Sequence, residues 1–388
     1  MSTTVVVLSY RPGDWLAECL AATVAQADEV LLVDNGSEDA RASELGRAFG
    51  ARVIRSRVNR GFAPAVCSAL GLARGDLVAL LNDDAVPLPG WLSGSAAVLE
   101  DPSVAAVGPK LLLRQAYAEI RMPGPEWYSP GDPRPLGRQI RSVRVDGLEV
   151  LDQATGPGLH RLEGEGTDRW RWTAGERSWY VPVGQGQRSP SVVVNGEPVP
   201  TGPLVRLVNS TGLFLDHRGY AGDIAMGAPD DGSFDEARER FAVSGAAMVA
   251  RAETWRAVGD LAAPYFAYYE DVDWCWRAWL YGYRVLYDPS CTVEHRRSAS
   301  SGGEHNEGVR VLAERNRTLT MARNGPWPQV ARALHERLAA GPDGGIRAQV
   351  ARGLPWALAT RVAQSRRWAR SASQVWERWS GVDSEWAV

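Results

Sequence analysis

Three apolar runs near the start of the chain each stop abruptly at a polar loop, and this pattern narrows the possible folds more than any other feature. Thr3–Leu8 stops at Ser9-Tyr10-Arg11-Pro12, Glu29–Val33 at Asp34-Asn35-Gly36-Ser37, and Asp76–Leu81 at Asn82-Asp83-Asp84. The unbroken Val78-Ala79-Leu80-Leu81 predicts a strand buried on both faces, as strands inside parallel sheets are. Helical segments over Asp14–Val24, Glu38–Phe49 and from Asn59-Arg60-Gly61 to Leu72 lie between these runs, with a short strand at Arg52–Ile54. Strands alternating with helices of this length predict βαβ units and a parallel sheet. Val104–Leu113 predicts one more strand, at an edge.

Parallel strands put the three polar loops on one rim, just past the carboxyl ends where open α/β sheets bind ligands. Adjacent carboxylates repel unless a cation lies beside them, so Asp83 and Asp84 point to a hard divalent ion, Mg²⁺ or Mn²⁺. An Asx turn capping the helix near Trp91 accounts for the same residues without an ion. Ser9, Tyr10 and Arg11, with Asp34, Asn59 and Gly61, are the rim's candidate nucleotide contacts; Asp34 could accept from a base N–H, and Asn59 and Gly61 open a helix. Turn chemistry alone also explains Asp-Asn-Gly-Ser. No G-x-G-x-x-G follows the first strand, which argues against a dinucleotide site.

The composition sets outer limits. A net charge of −3 over 388 residues argues against a general nucleic-acid binder. Cys19, Cys67, Cys275 and Cys291 show no C-x-x-C spacing, which fits free thiols in the cytoplasm. Neither a signal peptide nor a run of 18 apolar residues is visible.

Beyond residue 114 the pattern changes. Proline and glycine crowd Pro123–Gly137, and Arg169-Trp170-Arg171-Trp172 and Trp179-Tyr180-Val181 mix aromatic with polar residues. Asn195-Gly196, between Ser191–Val194 and Glu197-Pro198-Val199, predicts a hairpin turn. Residues 115–206 therefore read as a β-rich insert, whose tryptophans either stack on sugars, form an interface, or fill a small core. From 207 to 305 the sheet pattern resumes, with a polar loop at Gly219–Gly232 as a candidate lid. Gly245 and Ala246 leave room for a sugar ring against the backbone. Tyr268, Tyr269, Trp274, Trp276 and Trp279 surround Glu270, Asp271 and Asp273. Apolar rings raise a carboxylate's pKa, which suits a general base, while acids in a first turn also suit a helix N-terminus. His295 ends a strand, and Ser298–Gly303 reads as a flexible segment that orders over a donor. Residues 306–388 are helical, with Trp356, Trp368, Trp376 and Trp379 among arginines. Such a helix either lies on an anionic membrane surface or packs on the catalytic domain or a second subunit as a homodimer.

Seven blocks in order resemble the family 2 nucleotide-sugar glycosyltransferases of the GT-A fold, in particular their rhamnosyltransferase-like branch. They are Val6–Tyr10, Leu32–Ser37, Asn59–Ala63, Leu80–Asp84, Ser244–Met248, Tyr265–Trp274 and Glu294–Ser298. The resemblance covers roughly residues 1–114 and 205–325. It implies a nucleotide-sugar-binding half over 1–114 and a catalytic, acceptor-binding half over 207–305. By the same resemblance Asn82-Asp83-Asp84 stands for the family's D-x-D. Asp84 and His295 would then hold the metal, Asn82 a ribose or phosphate, and Asp34 the base, with Asp83 at the variable position. Asp271 would be the catalytic base, Glu270 would orient the acceptor or its loop, and Asp273 would be structural. The implied reaction is inverting transfer from a dTDP-rhamnose-like donor or UDP-sugar to a glycan, lipid-linked or small-molecule acceptor. It would run in the cytoplasm or peripherally at the inner face of the membrane. A non-catalytic glycan-binding scaffold and a sugar nucleotidyltransferase are the competing readings. The latter would want a glycine-rich phosphate loop where Ser9-Tyr10-Arg11-Pro12 stands.

Overall fold

The computed structural model describes residues 1–132, 134–184, 186–296, 307–339, 341 and 345–381. The chain forms two compact units: residues 1–111, 210–224 and the described chain from 235 onward make the first, and 112–209 with 225–234 the second.

The first unit begins as the alternation predicts: β1 (Thr3–Ser9), α1 (Trp15–Val24), β2 (Glu29–Asn35), α2 (Arg41–Ala48), β3 (Arg52–Ser56), α3 (Phe62–Leu70) and β4 (Leu77–Asn82). β5 (Ala85–Pro87), α4 (Trp91–Val98) and β6 (Val104–Leu113) follow. The strands pair in parallel in the order β3-β2-β1-β4. Ala247–Arg251 then joins β4 antiparallel, followed outward by β6, the long strand Arg284–His295 and Arg238–Glu239. β6 is therefore not an edge: later strands cover it, and all ten of its residues are buried.

Strand alternation divides the core. Val6, Val78 and Leu80 share one cluster with Ala63, Val66, Trp255 and Trp274. Val5, Val7, Leu77, Ala79 and Leu81 share the other with Leu16, Leu20, Ala42 and Trp91. Both faces are thus covered, which is why β4 needs no polar residue before Asn82.

The chain continues with α5 (Ala252–Val258), α6 (Glu270–Leu280), α7 (Glu307–Asn324), α8 (Trp327–Ala339), α9 (Ile346–Ser365) and α10 (Ala372–Trp379). The C-terminal tryptophans fold inward. Trp356 meets the Tyr265 ring edge-on at 5.8 Å, Trp376 stacks on Trp276 at 6.0 Å, and Trp379 lies 4.9 Å from Trp279. Arg361 sits over Trp327 and donates to the carbonyls of Ala322 and Gly325. Among the readings of this Trp/Arg pattern, packing on the chain's own first unit accounts for these residues. Among the described residues no helix is long and apolar enough to cross a membrane.

Among its described residues the second unit holds three small sheets. Val192–Val194 and Glu197–Val199 form the expected hairpin, with Asn195 (φ 50°) and Gly196 (φ 88°) both in the left-handed region that a two-residue turn requires. Its aromatics divide between the readings: Trp179 is fully buried in the core, whereas Trp127 packs edge-on against Trp172 and stays exposed.

Candidate active site

The rim forms at the carboxyl ends of the parallel strands. Ser9 aligns with Asp34 across β1 and β2, Leu8 with Asn82 across β1 and β4, and Asp34 with Arg55 across β2 and β3. The strand order turns back between β1 and β4, where ligands of such sheets lie.

Asp84 and His295 are brought together by strand pairing. β5 runs antiparallel to the end of the long strand, with His295 opposite Ala85 and Val293 opposite Pro87. The backbone N–H of Arg296 donates to the Asp84 carbonyl at 3.1 Å. His295 Nε2 consequently lies 3.2 Å from Asp84 Oδ1 and 3.4 Å from Asn82 Nδ2, with both Asp84 and His295 buried. An imidazole nitrogen and a carboxylate oxygen converging on one point fit a divalent cation that takes mixed N and O ligands. Among the described residues no third His, Cys, Asp or Glu joins them, so phosphate or water oxygens would complete the shell.

Asp83 faces the other way. It accepts from Ser9 Oγ at 2.7 Å, and burial, with Asp84 adding to it, pushes its carboxyl up to about 7. It ties the turn after β4 to the end of β1. Asp34 is fully buried: Oδ1 accepts from the Ser37 N–H at 3.2 Å, and Oδ2 from Ser43 Oγ at 2.6 Å with Arg55 at 3.3 Å. As it stands the carboxylate shapes its own loop and presents no oxygen to a ligand. The neighbouring Asn35 does the bridging. Its Nδ2 donates to Asn59 Oδ1 at 3.0 Å and to the Gly61 carbonyl at 3.1 Å, while its Oδ1 accepts from the Arg60 N–H. Arg11 adopts φ 53°, and its guanidinium pairs with Glu38 beside the Tyr10 ring. A cleft of about 110 Å³ opens where Asn35, Arg55, Ser56, Arg60 and Ser68 meet the apolar Val33, Ile54 and Ala65.

The acidic pair sits at the start of α6. Asp271 Oδ2 accepts from the Gly245 N–H at 2.9 Å and Oδ1 from the Val272 N–H at 2.8 Å. The next residue, Ala246, accepts through its carbonyl from the Asn82 N–H at 2.9 Å. Two adjacent residues therefore link Asp271 to the strand end that carries Asn82 and Asp84. Burial raises the Asp271 carboxyl above its usual range, partly offset by those two N–H groups. Glu270 is buried more deeply, and Oε2 has no hydrogen-bond partner among the described residues. Burial, then the Asp271 charge, pushes it well above the ordinary glutamate range. Asp273 is different again. Burial alone would raise it, but Arg323 and Arg277 outweigh that and lower it, and Asn324 donates to its Oδ1 at 2.9 Å.

The sequence singles out the segment in front of the acidic pair but not its backbone conformation or what holds it. Phe266 (φ 67°, ψ −67°), Tyr268 (φ 71°) and Tyr269 (φ 69°) all hold positive φ without being glycine. Such conformations cost about 1–3 kcal/mol each and cluster at functional sites. Asn316 and Arg315 on α7 hold this segment by its carbonyls. A buried asparagine in mid-helix is the one sequence signal available, since asparagine disfavours helix interiors. The first part of the candidate lid forms a hairpin: Ala221–Asp223 pairs with Leu213–Leu215, and the Ala221 N–H donates to Tyr269 Oη. Ser298–Gly303 lies outside the described residues.

Residues 4–144 match the family model described as Glycosyl transferase family 2. An uncharacterized protein of Sinorhizobium fredii, y4gI, is 38% identical over 89 residues, covering 21% of this chain and 10% of that protein. Among solved structures, GalNAc-T7 with UDP, GalNAc and Mn²⁺ aligns at a TM-score of 0.55 and 12% identity, over 97% of this chain and 56% of its own. A mannosyltransferase of Pyrobaculum calidifontis, in complex with GDP-Man and Mn²⁺, aligns at a TM-score of 0.42 and 14% identity, over 97% of this chain and 78% of its own. The chain spans only a tenth of the curated relative and about half of the GalNAc-T7 structure. The fold is accordingly the GT-A fold, and the stretch from residue 4 to 144, which holds β1–β4 and the Asn82-Asp83-Asp84 loop, is matched by glycosyl transferase family 2.

Proposed function

We propose that the chain is a metal-dependent, inverting glycosyltransferase. It would move a sugar from a nucleoside diphosphate, of the dTDP-rhamnose or UDP-sugar kind, to a hydroxyl of a glycan, lipid-linked or small-molecule acceptor. The observation that carries this reading is the meeting of Asp84 with His295 at 3.2 Å, beside a strand end whose neighbour, Gly245, holds Asp271. The solved neighbour that binds UDP and Mn²⁺ on the same fold supports it.

Asp84 and His295 would hold Mg²⁺ or Mn²⁺, which supplies neutralising charge to the departing diphosphate. The polar rim around Ser9, Asn59, Gly61 and Asn82 would bind the nucleotide. Asp271 takes the proton of the acceptor hydroxyl on a carboxylate oxygen. The N–H groups of Gly245 and Val272 keep that carboxylate in one orientation, and its burial raises its proton affinity. Glu270, buried and short of a partner on Oε2, is suited to hold an acceptor hydroxyl or the loop itself.

Calorimetric binding of a panel of nucleotide sugars, with and without Mn²⁺, tests the reading. One or more should bind in a Mn²⁺-dependent way, and Asp84→Ala should abolish that dependence. Binding that ignores both the metal and the substitution would overturn it.

A further inference from the structure

We infer that Asn316, a residue of the C-terminal helical region far from the acidic pair in sequence, is the positioning residue for the catalytic base. The inference rests on the proposed role of Asp271. Asn316 is fully buried, and the two hydrogens of its Nδ2 are shared among three carbonyls, of Tyr265 at 3.1 Å, Ala267 at 2.8 Å and Tyr268 at 2.7 Å. Its Oδ1 accepts from Arg315 Nε at 2.8 Å, which turns the amide so that its donors face the loop. Arg315 also donates to the carbonyls of Pro264 and Tyr265 at 3.1 and 2.5 Å.

The backbone so held is one that it would not adopt unaided. The Ala267 N–H reaches the Tyr265 carbonyl at 2.8 Å across Phe266, a γ-turn of the strained, positive-φ kind. Tyr269, the residue before α6, is left-handed as well, yet its carbonyl accepts the Asp273 N–H at 2.8 Å and starts the helix. The direction in which α6 leaves this turn decides where Asp271 points. The outer side of the turn touches the nucleotide rim: the Phe266 carbonyl accepts the Ala63 N–H at 3.2 Å, at the start of α3 next to Gly61. Asn316 therefore holds the turn from which the base's helix leaves, and a different carbonyl of that turn, that of Phe266, reaches the rim. The Asp271 carboxylate is held by the N–H groups of Gly245 and Val272 and not by α7; the amide acts through the turn.

Thr320 offers a control on the same helix. Its hydroxyl donates to Tyr265 Oη at 2.8 Å, a buried bond that leaves the loop carbonyls alone. Asn316→Ala should lower kcat about 30-fold or more, with Mn²⁺-dependent nucleotide binding changed less than about threefold, as expected for a misaimed base. Arg315→Ala, at a partly exposed position, should give a smaller loss in the same direction. Thr320→Val should lower the melting temperature while keeping kcat within about threefold. Amide hydrogen exchange over residues 266–271 should accelerate in Asn316→Ala and not in Thr320→Val. Near-normal kcat in an active enzyme, unchanged exchange over 266–271, or an equal kcat loss in Thr320→Val would each overturn the inference. If the wild-type chain transfers no sugar to any acceptor, the parent reading fails, and the exchange measurement alone decides whether Asn316 holds the turn.

Discussion

The rim proposed to bind the nucleotide and the loop proposed to carry the base meet at Gly61, yet they are built in different ways. Around the rim, the positive-φ positions at 36 and 61 are glycines, with Arg11 (φ 53°) the exception, and Asn35, Asn59 and the Gly61 backbone satisfy one another locally. In the base loop, Phe266, Tyr268 and Tyr269 take left-handed conformations that glycine would adopt more easily, and α7 supplies the compensation. A rim made from turn chemistry is shaped before any ligand arrives. A base loop held from a distant helix has its geometry decided by packing, so its strain and its precision share one origin.

The largest effect separates chemistry from binding. Asp271→Asn should cut turnover by about 10²-fold or more while donor affinity measured by calorimetry stays put. Near-normal turnover would remove the base from this loop altogether. The junction of the two regions comes next. At Gly61 (φ 86°, ψ 171°) a Cβ would lie 2.5 Å from the Phe266 carbonyl, so Gly61→Ala should cost about 2–4 kcal/mol in urea denaturation. A loss under about 0.5 kcal/mol would mean that the strained turn yields easily, and the contrast drawn here would collapse.

A third test reads the buried acid. The folded-state pKa of Glu270 is raised above its unfolded value, so the native state keeps a proton that the unfolded chain gives up. Stability from this group is full below the unfolded pKa and is lost as pH rises through the folded one. Glu270→Gln should therefore melt higher than wild type at pH 8, by about 1–3 kcal/mol, and the gap should close toward pH 4. A pH-independent difference would show the carboxyl to be partnered. The smallest effect is expected at Phe266, a residue 39% exposed. Phe266→Gly relieves the positive φ as it removes the ring, so stability should move by no more than about 1 kcal/mol. A large loss, read from the same melts, would show that the ring's contact with Gly61 outweighs the strain.

Much of the rim was legible because its causes are local. Asp-Asn-Gly-Ser is turn chemistry, and a four-residue apolar run ending in Asn-Asp-Asp says where a strand stops. The inward turn of the Asp34 carboxylate was not legible, since Ser43 and Arg55 reach it from another helix and another strand. The C-terminal tryptophans fitted a membrane face or a packed face equally well by pattern. Trp276 and Trp279 on α6 settle the matter for Trp376 and Trp379 by taking them as neighbours. Val104–Leu113 looked like an edge because nothing in its own ten residues reports the strands added after it.

Residue order alone determined the strand–helix alternation, the parallel β1–β4 core and the polar loops at its carboxyl ends, because period and turn propensity act over a few residues. Tertiary structure alone decided which distant side chains share a site. His295 reaches Asp84 only through the antiparallel register of the long strand with β5, and Asn316 reaches the base loop only through the packing of α7. Contacts between residues so far apart in the chain depend on register and close packing of whole elements, which no short stretch of sequence encodes.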